Sequence, residues 1–230
     1  MTLKSRLILR FVFMPVVCGS FLFLPAGSFR FWQGWVYLII SIGFIVSAFG
    51  YFYWHDPQFI ERRLRREWRQ ETVREQKLLM KFIPAIMAIA FLLPGFDHRF
   101  GWSHVPLWLT VLSQAFVLGG YLMNFWAWKS NSFAASTIRV EAEQRVISTG
   151  PYGIIRHPMY LGGSVWFLFT PLALGSYFAL PVFALLVPLI VLRLLNDRES
   201  FAKSCPAMQT TASTPASGSF HSSGRFHCCG

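Results

Sequence analysis

Long apolar runs constrain this chain more than any other feature. A helix needs about 20 mostly apolar residues to cross a bilayer. Ile8–Gly27 and Phe31–Trp54 each supply that, with only the tight turn Ser28-Phe29-Arg30 between them. Phe82–Phe96 is shorter and carries Pro84 and Pro94, which predicts a thinner or kinked span. Val105–Trp128 is a full-length span with aromatics at both ends, suited to the interface belts. Met159–Leu195 is too long for one crossing and holds Gly175-Ser176 near its middle, which predicts a helical hairpin. The expected fold is all-α: a polytopic integral membrane protein of about five to six transmembrane helices.

Composition closes off the alternatives. The 230 residues are 54% hydrophobic and 17% aromatic but only 13% charged, against about 25% charged in typical soluble domains. A water-soluble chain of this size has no place to hide 24 Phe and nine Trp. Mean hydropathy is +0.44. A disordered chain, a coiled coil and a disulfide-stapled secreted domain are excluded. The first apolar run is long for a signal-peptide core, and no small-residue cleavage site clearly follows it, so a retained span is expected.

The formal net charge of +11 would suggest nucleic acid in a soluble protein. Here Lys and Arg collect beside apolar runs, as they do in cytoplasmic membrane loops, and no nucleic-acid partner is expected. Six crossings put the N-terminus, residues 55–81, residues 129–158 and the tail on one side. That side holds 19 of the 21 Lys and Arg, leaving Arg30 and Arg99 opposite. The positive-inside rule makes it the cytoplasm, so both termini are expected there. Arg62, Arg63, Arg65, Arg66 and Arg69 are mixed with Glu61, Glu67, Glu71 and Glu75, which predicts an amphipathic surface helix. It reads as a solvated topology determinant before a lipid-headgroup site. Cys18, Cys205, Cys228 and Cys229 form neither a disulfide framework nor a CxxC pair. No internal repeat is visible.

One stretch does not fit a plain anchor. After the polar loop Lys129–Thr149 comes Gly150-Pro151-Tyr152-Gly153-Ile154-Ile155-Arg156-His157-Pro158-Met159-Tyr160-Leu161-Gly162-Gly163. Gly150-Pro151 predicts a turn, and Pro158 suits the first turn of a helix, where its missing N–H is harmless. Glycines in the opening helical turns let a ligand or another helix approach the backbone. Helix-start N–H groups beside Arg156 and His157 would hold a carboxylate or phosphate. Chemistry alone leaves two readings open, since Arg-His at a membrane boundary also serves as a snorkelling anchor and Gly-Gly as helix packing.

The pattern G-P-Y-x-x-x-R-H-P-x-Y-x-G resembles the isoprenylcysteine carboxyl methyltransferase family and its relatives among the phospholipid methyltransferases. Asn131-Ser132-Phe133 and Val146-Ile147-Ser148-Thr149 resemble the approach to that motif. The resemblance covers Asn131 to Asp197 in detail. It implies a membrane methyltransferase that uses S-adenosyl-L-methionine, held by a cytoplasmic loop, and acts on a lipophilic acceptor from the bilayer. Carried over by position, Gln144, Arg145, Val146, Ile147, Gly150, Tyr152, His157, Pro158, Met159, Tyr160 and Asp197 would bind the cofactor. The family follows its last span with an Arg and then acids four and five places later. Arg193 matches the Arg and Asp197 the first acid, while Arg198 replaces the second. Arg193 would face the methyl acceptor, whose carboxylate suits an Arg fork. A carboxylate acceptor needs no general base, so positioning supplies most of the rate. An amine acceptor must lose a proton, with His157 the first candidate to take it. Without the family, Arg193 and Asp197 are equally an i,i+4 surface pair.

Beyond Glu199 the chain changes character. Residues 200–230 contain no Leu, Ile, Val, Trp or Tyr, and ten of the 31 are Ser or Thr. The family expects an acidic stretch and then a Leu-Pro-Gly-Tyr-like segment. Codons for residues 199–211 can be chosen so that another frame reads E-L-R-E-E-L-P-G-Y-A-D-Y-C, which points to a frameshift. The expected organisation is therefore a membrane-embedded methyltransferase domain over 1–199, with its motif core at 131–199, and an atypical, disordered tail over 200–230. His227-Cys228-Cys229 lacks a second ligand pair for a metal site, and the terminal Cys228-Cys229-Gly230 does not match a prenylation signal.

Three rivals remain. An NADPH-dependent membrane reductase of the sterol-reductase type shares an R-H-x-x-Y-like loop but has more spans. A catalytically inactive homologue is supported by the altered tail. A transporter is disfavoured because no apolar run encloses an acid and no inverted repeat is evident.

Overall fold

The computed structural model describes residues 3–64, 74–131, 150–155 and 157–188. These residues form helices and turns, with no strand among them. In chain order they are α1 (Leu3–Ala26), α2 (Trp32–His55), α3 (Pro57–Leu64), α4 (Arg74–Phe100), α5 (Leu107–Ser130), a single 3-10 turn (Gly150–Gly153), α6 (Pro158–Ala173) and α7 (180–188). Among the described residues three stretches are long and apolar enough to cross a membrane: Trp32–His55, Ile83–Phe100 and Leu107–Ser130. The all-α membrane class expected from the apolar runs is what the chain adopts.

Large apolar side chains point outward along these helices, as a bilayer solvent requires. Ile39 is 68% exposed and Trp108 67% exposed. Lipid is as apolar as Leu, so close packing and interhelical hydrogen bonds hold such a bundle together. One buried cluster joins α1 (Leu22), α2 (Tyr37, Leu38) with Phe31 just before it, α5 (Val117, Tyr121) and the end of α6 (Ala173) with Leu174 just after it. A second joins α4 (Ala90) to Ala179, Phe183 and Leu186, with Phe167 of α6 packed against it. Polar staples cross the same interior. The Trp166 indole N–H donates to the Tyr37 hydroxyl at 3.0 Å, and the Tyr121 hydroxyl donates to Ser41 Oγ at 3.1 Å. Gln114 Nε2 donates to the Ala173 carbonyl at 2.9 Å, satisfying an orphan acceptor at the end of α6.

The turn of the expected hairpin is present, and its return arm is described to residue 188. α6 closes in a Schellman turn: Gly175 N–H donates to Leu172 O at 3.0 Å and Ser176 N–H to Pro171 O at 2.9 Å. That turn needs a left-handed residue, and Gly175 has φ +75°. α7 then returns against α4 and Phe167.

α4 corrects the reading of a short third span. It continues through Pro84 and Pro94 to Phe100, as membrane helices do when neighbours re-satisfy the backbone. The extra turn brings Asp97 into the span, where it is 2% exposed. An acid therefore does lie within an apolar helix. Its carboxylate accepts from Ser103 N–H at 2.7 Å, Ser103 Oγ at 2.7 Å and Ser176 Oγ. The last bond ties the end of α4 to the α6–α7 turn, and the Ser103 bonds add the α4–α5 loop, so Asp97 is a tether here. Most of the arginine-glutamate cluster at 61–75 lies outside the described residues.

Candidate functional site

The motif folds at one end of the bundle, where α5 ends and α6 begins. Gly150 opens the 3-10 turn with φ +63°, and a Cβ there would stand 2.5 Å from Ser130 Oγ at the end of α5. The backbone angle favours glycine, and a side chain here would also have to push the Ser130 hydroxyl aside. Pro151 is buried, and its carbonyl accepts from Ile154 N–H at 3.2 Å and Ile155 N–H at 2.9 Å. His157 stands at the N-cap of α6 with φ −133° and ψ 65°, outside the α region that a following proline disfavours. Pro158 takes the first helical position, and Leu161 N–H donates to His157 O at 3.2 Å. The His157 and Tyr160 rings meet edge to face at 6.1 Å.

Beneath this helix start lies an aromatic floor. Met159 packs against Phe52, Phe59 and Ile60, with Phe125 and Trp128 in the same cluster. Phe59 and Ile60 belong to α3 and are 1% and 0% exposed. They were missed in the sequence, where residues 55–81 read as a loop with a surface helix. The available signal was Asp56-Pro57: Asp56 Oδ1 accepts from Phe59 N–H at 3.0 Å, and Pro57 follows at the first helical position.

Two glycines set how closely α6 lies on α5. A Cβ on Gly120 would stand 2.7 Å from Gly162 O, and one on Gly162 would stand 2.9 Å from Gly120 O. Asn124 Nδ2 donates to Gly120 O at 3.0 Å beside that crossing. Gly162 thus serves helix packing, while Gly163 faces open space, with nothing within 4 Å of an added Cβ.

Gly150, Tyr152, His157, Pro158, Met159 and Tyr160 are therefore brought together on one turn-helix unit. Gln144, Arg145, Val146, Ile147, Arg193 and Asp197 lie outside the described residues. The six described positions fit a cofactor that carries a carboxylate and an aromatic base. A 16-residue helix begins there without a side-chain cap, and its first N–H groups suit an anion. Two rings, those of His157 and Tyr160, stand beside them. Among the described residues no group of three or more His, Cys, Asp or Glu is placed to hold a metal ion. At the opposite end of the bundle a polar pocket of about 360 Å³ is lined by Gln33, Asp97, His98, Ser103 and His104. It contains none of the motif residues.

The helical bundle and this turn-helix unit define an all-α membrane protein with one chemically distinctive end. Residues 108–202, from α5 through α6 and α7, match the family model of phospholipid methyltransferases. The resemblance to the related isoprenylcysteine carboxyl methyltransferases fits that match. The match supports a membrane methyltransferase that acts on lipophilic substrates. No curated protein matches the chain, and no solved structure does.

Proposed function

We propose that this chain is a multi-pass, S-adenosyl-L-methionine-dependent methyltransferase of the isoprenylcysteine carboxyl methyltransferase type. The observation that carries this reading is the Gly150–Tyr160 unit, seated on α5 inside the matched segment 108–202. When bound, S-adenosylmethionine supplies an electrophilic methyl group on a sulfonium. The helix start at His157–Tyr160 orients its carboxylate end, and Gly150 and Tyr152 line the same side. Gln144, Arg145, Val146, Ile147 and Asp197 complete the binding loop in this reading, and Arg193 holds the acceptor's carboxylate. Both termini and this loop face the cytoplasm.

The acceptor enters laterally from the bilayer, since a lipophilic molecule is concentrated there. With a carboxylate acceptor the protein's task is alignment, because the nucleophile is already charged and the displacement is in line. With an amine acceptor His157 takes the proton. The test is transfer of labelled methyl from S-adenosylmethionine to a prenylated cysteine and to an amine phospholipid, in detergent. Labelled prenylcysteine ester supports the carboxyl reading, and labelled amine alone replaces it with N-methylation. The tail after Glu199 favours a second reading, an inactive homologue. Transfer by a chain carrying E-L-R-E-E-L-P-G-Y-A-D-Y-C from residue 199, but not by the chain as it stands, traces inactivity to that tail.

A further inference from the structure

A groove of about 590 Å³ runs between α1 and α2, opening at the end of the bundle remote from the motif. That volume falls within the range of about 300–1,000 Å³ typical of ligand sites. Val16, Gly19 and Phe23 of α1 face Leu38 and Ile42 of α2 along it, and Gly27, Ser28 and Phe29 form its mouth. The polar groups that line it are already satisfied within the chain. Ser20 Oγ donates back to Val16 O at 2.7 Å, and the Trp35 indole donates to Phe29 O at 3.0 Å. The groove therefore asks for an apolar chain.

Its mouth asks for something else. A Cβ on Gly27 would stand 3.7 Å from the Arg99 guanidinium, so that cation sits beside the opening. Arg30 follows two residues after Ser28 in the same turn. Among the described residues neither arginine is paired with a carboxylate: Asp97 is engaged by Ser103 and Ser176, and Arg99 lies over the Phe100 ring at 5.7 Å.

We propose that this groove binds one bilayer lipid, with an acyl chain between α1 and α2 and an anionic headgroup phosphate on Arg99 and Arg30. An apolar groove with cationic charge at one end complements the two halves of a phospholipid. A second copy of the chain suits the groove poorly. A two-fold interface places the same patch on both subunits, which would bring four unpaired arginines together.

The test uses the full chain, purified in detergent, stripped of lipid and titrated with phosphatidylglycerol, with native mass spectrometry as the readout. One tightly held phosphatidylglycerol per chain is expected. Arg30→Gln and Arg99→Gln should each weaken it by about five-fold. Val16→Trp, at a position 61% exposed on the groove wall, should abolish it with the charges intact. All three changes fall on exposed residues, and an unchanged thermal midpoint shows that folding is retained. Binding that ignores Val16→Trp, or that is equal in the double arginine variant, overturns the proposal. So does a disulfide-linked dimer of Val16→Cys at high yield, which would give the groove to a second copy.

Discussion

Gly120 and Gly162 meet backbone to backbone where α5 crosses α6, and neither has room for a Cβ: each added carbon would come within 3 Å of the other's carbonyl oxygen. This contact seats the helix that begins with His157 and Pro158. Gly162→Val should therefore lower unfolding free energy by about 1–3 kcal/mol through overpacking. Gly163→Ala, one residue on and facing open space, should be neutral or gain up to about 1 kcal/mol from helix propensity. Thermal unfolding in detergent checks both, and loss at both positions would mean that the crossing is not the cause.

Asp97 is the tether at the other end. Asp97→Ala leaves the buried Ser176 hydroxyl and the Ser103 donors without their acceptor. Each such group costs about 1–3 kcal/mol. The thermal midpoint should fall sharply, while affinity for S-adenosylhomocysteine measured below that midpoint should be unchanged. A selective loss of affinity would contradict the separation of the two ends.

Tyr37 and Trp166 offer a direct measure of a polar staple inside the bundle. The indole N–H donates to the phenol oxygen at 3.0 Å. A double-mutant cycle of Tyr37→Phe with Trp166→Phe should return a coupling of about 0.6 kcal/mol, the average for such bonds in membrane proteins. Zero coupling would place α6 by packing alone.

Within the motif, His157→Ala should weaken S-adenosylhomocysteine binding by about five- to ten-fold, the worth of one hydrogen bond. His104→Ala, in the polar pocket at the far end, should leave it unchanged. Isothermal titration of both variants separates local contact from general damage.

Much of this architecture was legible because bilayer thickness sets the length of an apolar run. The expected Phe31–Trp54 and Val105–Trp128 are the observed Trp32–His55 and Leu107–Ser130, and the break expected at Gly175-Ser176 is the Schellman turn. Pattern failed where tertiary contacts decide. Asp97 reads as a loop acid until α4 is seen to continue past Phe96, and its burial depends on Ser176, 79 residues away. Asp56-Pro57 marks a helix start before Phe59 and Ile60, but nothing local announces the aromatic floor that they form under Met159. The turn and helix start at Gly150–Tyr160 were readable from Gly, Pro and their spacing. What Gly150 and Gly162 touch was not, because Ser130 and Gly120 come from another helix.

The central claim is that the Gly150–Tyr160 end binds S-adenosylmethionine. Its most direct test is equilibrium binding of S-adenosylhomocysteine to the full chain in detergent, with NADPH as competitor, repeated on the chain with the alternative-frame tail. The account predicts saturable binding by the alternative-frame chain, untouched by NADPH and weakened by His157→Ala. Binding of NADPH with none of S-adenosylhomocysteine, in a chain shown to be folded, would contradict it and assign this end to a reductase.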